Sequence, residues 1–231
     1  TPTFMLELPS TKENIKYRPF TVKEEKILLI AQESKELDQI ILSVKQVISN
    51  CLQDVDVDLL SVFDLEYIIL NIRAKSVNNE IDFGFQDEDT EERVDVKIDV
   101  NEVKVYFDPD HSKKIDIDSQ YYMMMRYPSL EEVRQMQSVN DEESTNTEQM
   151  FNTMLSCIDT LVDQETDEVY KLSEFTSEEV ADFVDGFNST IVESIQKFYI
   201  TMPKLRHVIE YKDKKGKAKT FVVEGMDSFF T

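Results

Sequence analysis

The stretch "IKYRPFTVKEEKILLIA" (Ile15–Ala31) decides how this chain is read. Pro19 biases Arg18 away from helical backbone, so the strand-like run before it ends at that point. Thr21 and Glu24 then stand in the Thr-x-x-Glu spacing, in which each side chain satisfies an orphan backbone N–H at a helix start. Ile27, Leu28 and Ile30 follow in that helix. The stretch therefore reads as a strand leaving through an Arg-Pro junction into a capped helix. The same reading leaves room for a binding role of Tyr17, Arg18 and Phe20.

Upstream, "TFMLEL" and "IKYRPF" are two short strands joined by the polar turn "PSTKEN". Downstream, Leu37, Ile40, Ile41, Val44, Val47, Ile48 and Cys51 recur at three- and four-residue steps, the mark of an amphipathic helix. A second helix is expected over Phe63–Ser76, after the acidic string "DVDVD" (Asp54–Asp58). The alternating runs "EIDFGF" and "RVDVKIDV" flank the turn "QDEDTEE" and predict a β-hairpin. Further strand-like pieces lie at Val103–Phe107 and Lys114–Ile117.

The order then recurs. "YYMMMRYPSLEEV" (Tyr121–Val133) repeats a strand, an arginine (Arg126), an aromatic (Tyr127), Pro128, a hydroxyl residue and a glutamate pair opening a helix. Met123–Met125 read as strand and core. "QSVNDEESTNTEQ" (Gln137–Gln149) reads as a loop, and a helix is expected through Met150, Met154, Leu155, Ile158 and Leu161. A strand near Val169–Tyr170, helices from Ser177 and through Ile191–Tyr199, and a closing hairpin around "KDKKGK" complete the chain. The expected fold class is α+β, with helical halves in pseudo-repeat and projecting hairpins. The halves are 1–110 and 111–231, packed as one globular unit.

Charge is the strongest compositional fact: 25 basic against 47 acidic side chains give a net of −22 over 231 residues. Nucleic-acid affinity rests largely on neutralising phosphates with Lys and Arg, so DNA, RNA and anionic membranes are not the expected partners. The field favours solubility and basic protein partners. No apolar run approaches the ~18 residues needed to span a bilayer, and the N-terminus shows no secretory pattern. Cys51 and Cys157 read as buried free thiols. Lys204–Lys219 reverses the sign locally, with seven basic and two acidic side chains.

The chemistry-bearing patterns are thin. Gly84, Gly186, Gly216 and Gly225 make no phosphate-cradling spacing. His111 and His207 stand far apart, and neither cysteine belongs to a C-x-x-C pair, so no metal ligand set is expected. "DVDVD" and "QDEDTEE" lack the glycine and the closing glutamate of a calcium loop and read as solvated acidic turns. No G-x-S-x-G elbow or Cys–His pairing is visible. The expectation is a non-enzymatic protein without catalytic residues or cofactor; the alternative is a divergent metal-dependent hydrolase using surface carboxylates.

Three stretches carry a likeness to a known family: "LPSTKENIKYRPFTVKEEKILLIA", "FDLEYIILNIRAKSV" and "FYITMPKLRHVIEY". In this order they resemble the T-even-type bacteriophage baseplate hub and hub-assembly proteins of contractile tails. Leu8, Pro9, Ser10, Lys16, Tyr17, Arg18, Pro19, Phe20, Lys23, Glu24 and Glu25 stand in family-like positions, as do Asp64, Glu66, Tyr67, Arg73, Lys75 and Ser76, then Met202, Pro203 and Lys204. Many relatives carry C-x-x-C pairs at both hairpin tips; here the tips are "QDEDTEE" and "KDKKGK", so a metal staple does not carry over. The resemblance implies protein–protein work on the baseplate hub, in the host cytoplasm during assembly or in the virion tail. Partners are other hub proteins or a second copy of the chain. The contact candidates are Tyr17, Arg18, Pro19 and Phe20 at one junction, Arg126, Tyr127 and Pro128 at the other, and Met202, Pro203, Lys204, Lys214, Lys215 and Lys217 at the closing hairpin.

Overall fold

The computed structural model describes residues 2–138, 151, 152 and 155–225. It is a mixed α+β molecule built from antiparallel sheets and helices. The chain forms two compact units: Thr1–Tyr106 with Pro203–Thr231, and Phe107–Met202. The closing hairpin thus groups with the N-terminal elements, although it lies in the 111–231 half of the sequence.

In the first unit β1 (Phe4–Glu7), β2 (Asn14–Tyr17) and β3 (Leu52–Gln53) form one sheet. Helices α1 (Val22–Ser34), α2 (Leu37–Cys51) and α3 (Val62–Ser76) pack in series, α1 on α2 and α2 on α3. α3 is the central helix: Ile68, Leu70 and Ile72 are fully buried, as its apolar residues fall on almost every side. Ser61 caps it by accepting from the Asp64 N–H, and Asp64 in turn accepts from the Ser10 N–H (3.0 Å) and hydroxyl, tying the β1–β2 turn to the helix start.

β4 (Glu80–Gln86) and β5 (Arg93–Asp99) pair as the expected hairpin. β6 (Lys104–Tyr106) joins β11 (Lys204–Lys212) and β12 (Ala218–Glu224) in the order β12-β11-β6. Leu70 and Ala74 of α3 share a core with Ile81, Phe85, Ile98, Leu205, Ile209 and Val223, so α3 and the two hairpins bury one apolar body.

The second unit has the sheet β10-β9-β8-β7, from β7 (Lys114–Asp116), β8 (Tyr121–Met125), β9 (Ile158–Asp163) and β10 (Val169–Lys171). Its helices are α4 (Leu130–Ser138), α5 (Ser177–Asp185) and α6 (Ser189–Ile200). Met123 and Met125 point into a core with Cys157, Ile191, Ile195 and Phe198. Two expectations change here. Ile158 and Leu161 are strand residues that pair with β8, because cross-strand partners outweigh a spacing that fits either element. Gln137 and Ser138 belong to α4, while the rest of the expected loop, 139–149, lies outside the described residues, as do Met150 and Met154.

Four turns explain how the hairpins close with so little glycine. In 8–13, 87–92 and 163–168 the first N–H donates to the sixth carbonyl (2.8, 2.8 and 2.9 Å), and Lys12, Glu91 and Asp167 adopt left-handed φ of 63°, 56° and 58°. In the fourth, Asp213 N–H donates to Lys217 O (3.0 Å) and Gly216 takes φ 78°. Asp87, Asp163 and Asp213 each use Oδ1 to accept from backbone N–H groups inside their own turn, doing the work that glycine-rich turns leave to the backbone.

Phe198 is 1% exposed and contacts the rings of His111 (5.2 Å), Tyr127 (5.7 Å) and Tyr199 (5.2 Å). Phe198→Ala is expected to cost about 3–5 kcal/mol in chemical denaturation, the range for emptying an aromatic site in a closed core.

Candidate functional site

The first junction is built outward from β2. Tyr17 is 2% exposed, its ring 5.8 Å from Phe4. The Arg18 N–H donates to the Cys51 carbonyl (2.9 Å), which carries the β2–β3 pairing one residue further before Pro19 turns the chain. The guanidinium then folds back: Nη1 donates to the Pro19 carbonyl (2.9 Å) and Glu24 Oε2 (2.9 Å), and Nη2 to Glu24 Oε1 (2.6 Å). Glu24 Oε2 also accepts from the Thr21 N–H (2.7 Å) and hydroxyl (3.0 Å). Arg18 and the helix cap therefore share one carboxylate, buried at the start of α1. The bidentate arginine, and next to it the Thr21 bonds, hold the Glu24 carboxyl down to about 2 against the desolvation that would raise it. Burial pushes the Cys51 thiol up to about 11, so this cysteine is an inert core group. Phe20 is half-buried, and its N–H donates to Ser76 Oγ (2.9 Å) at the end of α3.

The second junction uses the same chemistry. The Arg126 N–H donates to the Cys157 carbonyl (2.8 Å). Its guanidinium bridges both Glu132 oxygens (2.9 and 2.7 Å) and reaches the Ser156 carbonyl (3.0 Å). Glu132 Oε2 accepts from the Ser129 N–H (2.8 Å), and Ser129 Oγ accepts from the Glu132 N–H (3.3 Å). Arg126 holds the Glu132 carboxyl below its ordinary range. Tyr127 stacks on His111 and Phe198, with Lys113 Nζ 4.4 Å from its ring, and Pro128 is buried. Both arginines are thus engaged by carboxylates six residues along their own chain.

The hairpin tips are joined by charge. Lys219 Nζ lies 2.9 Å from both Asp87 oxygens, 2.9 Å from Asp89 and 3.3 Å from Asp213. The Tyr211 hydroxyl donates to Asp87 Oδ2 (2.5 Å), and Phe85 stacks on Phe221 with centroids 4.0 Å apart. Lys214 pairs with Glu92. Tyr211 first, and Lys219 next, keep the Asp87 carboxyl well below the usual carboxylate range. Asp87 is buried, which corrects the reading of "QDEDTEE" as a wholly solvated turn: a buried carboxylate is tolerated because a cation and a phenol meet it.

Of the remaining contact candidates, Lys215 and Lys217 extend into solvent while their N–H groups donate to Asp213, Lys204 pairs with Glu224 (2.8 Å), Pro203 is buried, and Met202 packs on the second unit's core. Among the described residues, no group of three or more His, Cys, Asp or Glu is placed to hold a metal ion. None of their helices is long and apolar enough to cross a membrane. Sequence reasoning did not find Lys219, Tyr211 or the cysteine carbonyls. The one available signal was the pair of similar strings "DEDTEE" (87–92) and "DQETDE" (163–168), each opening on the turn aspartate.

Glu24→Gln keeps a cap but removes the charge, and is expected to cost about 2 kcal/mol at pH 7 after allowing for Arg18's partial exposure. Because the folded carboxyl is depressed, that stabilisation is present above the ordinary carboxylate range and fades as pH falls from about 5 toward 2. The variant's stability therefore approaches the parent's at low pH, read by urea titration across pH. Lys219→Met is expected to lower Tm measurably, whereas Lys217→Met leaves it within error, read by calorimetry.

A family model described as T4 bacteriophage base plate protein matches residues 1–231. No curated protein and no solved structure matches the chain. The match runs through both arginine junctions and every hairpin of the first unit, and on that evidence the chain belongs to the T4 bacteriophage base plate protein family.

Proposed function

We propose that this base plate protein is a subunit of the baseplate hub, or a factor in its assembly, working by protein–protein contact and catalysing no reaction. The observation that carries the reading, beside the family, is α1. Its run "ILLIA" (27–31) places apolar residues all round the helix, yet Ala31 is the one buried apolar residue of α1. Val22, Leu29 and Ile30 are 75%, 52% and 65% exposed. A helix of this composition is expected against a neighbour, and an uncovered apolar face of this kind marks an interaction surface.

The junctions serve the surface from behind. Arg18 and Glu24 fix where α1 starts, and Phe20 is held beside α3 by Ser76. At the closing hairpin, exposed Lys215 and Lys217 make a basic tip on an acidic chain, suited to an acidic patch on a partner. Assembly in the host cytoplasm and residence in the tail both fit this role.

Co-expression with the hub proteins of the same phage, followed by size-exclusion chromatography, tests the reading. Co-elution at low and moderate salt is expected; separate elution at both would contradict it.

A further inference from the structure

Beside the uncovered face of α1 lies a cleft of about 340 Å³, contained entirely in the first unit. Phe20, Leu28, Leu29, Ile69, Val77 and Ile81 supply apolar wall, with Glu25 and Asp82 also on its lining. Arg73, in the last turn of α3, is the cation of the site. Its Nη1 is buried and has no hydrogen-bond partner among the described residues. Arg18, Arg126 and Lys219 all form ion pairs with carboxylates of their own chain, and among the described residues Arg73 does not. Asp82 is exposed, with Lys97 Nζ 4.0 Å from its carboxylate.

A guanidinium nitrogen buried without a hydrogen-bond partner is costly unless something arrives to satisfy it, and a carboxylate does so with charge-assisted bonds. Burial weakens Arg73's hold on its proton, and the charge of nearby Asp82, which makes no ion pair with it, only partly offsets this. The apolar walls ask for an aliphatic or aromatic side chain in the same visit. Glu25 and Asp82 set a further condition, since they repel an acidic segment that carries no basic residue beside the acid.

We propose that this cleft seats a segment of a partner protein in which an apolar side chain and a carboxylate enter together, flanked by a lysine or arginine. The apolar group packs on Leu28, Ile69 and Val77, the carboxylate meets Arg73, and the flanking cation meets Glu25 and Asp82. The inference deepens the assembly reading and rests on it: it names the chemistry that the α1 face recognises. A second copy of this chain is the less suitable occupant, because two bodies of charge −22 repel each other.

The test uses the full chain and overlapping peptides tiled across the baseplate proteins of the same phage. Each peptide containing Asp or Glu is paired with an Asn or Gln twin. Bound peptides are expected to carry the apolar–acid–base pattern, to shift the methyl resonances of Leu28, Ile69 and Val77, and to bind at least ~10-fold more weakly as the amide twin. Arg73→Met is expected to lose the same factor while melting no lower than the parent, since it removes a guanidinium nitrogen that has no hydrogen-bond partner and keeps the aliphatic stem. Equal binding of acid and amide twins, shifts remote from the cleft, no bound peptide, or a lowered Tm for Arg73→Met would each overturn the inference. If parent and Arg73→Met both still co-elute with hub proteins, the assembly reading survives the loss of the cleft; if the parent does not co-elute, that reading itself falls.

Discussion

Burying charge is costly unless a partner meets it, and at its arginine junctions and hairpin tips the chain supplies that partner from its own sequence. At each arginine junction a guanidinium and a capped glutamate neutralise one another across a proline bend. At the hairpin tips a single ammonium draws in three aspartates from two turns. Removing Arg18 or Lys219 leaves Glu24 or Asp87 buried without its cation, which is why the penalties fall on the fold as a whole more than on one contact. The junctions also set where the next helix begins, since the carboxylate that holds the arginine is the one that caps the helix.

This internal matching shapes what is left for partners. Arg18 and Arg126 are the residues that most invite an anchoring role on sequence grounds, and their guanidinium groups are occupied within the fold. The neighbouring Phe20, held in place but only half-buried, and the exposed residues of α1 remain available at the surface. In the proposed role, support and surface act together. Ionic staples fix the start of a helix that exposes Val22, Leu29 and Ile30. Arg73 forms no ion pair among the described residues, its Nη1 is buried without a hydrogen-bond partner, and it lies where that apolar surface turns into a cleft.

Much of the fold was legible because its signals are local. Thr21 and Glu24 announce a helix start by spacing alone, and the alternation in Glu80–Gln86 and Arg93–Asp99 announces a hairpin. What stayed hidden depends on residues distant in sequence. Asp87 looks like a solvated turn residue until Lys219, 132 positions later, is brought against it. Ile158 and Leu161 sit at helical spacing, and their strand pairing with β8 is decided by residues more than thirty positions earlier. The arginine–glutamate pairs stand at an intermediate range. Six residues is too long for a helical neighbour rule and is short only because the proline bends the chain back. The Arg73 cleft has no local signature, since it exists only where α1, α3 and β4 meet.

Hydrogen exchange, followed by mass spectrometry on the chain alone and on its complex with baseplate hub proteins, addresses the central claim most directly. The account predicts new protection over Phe20–Gln32 and over the end of α3 into β4, with the already paired Arg126–Glu132 junction unchanged. Protection confined to other surfaces, with α1 exchanging as fast in the complex as in the free protein, would contradict it.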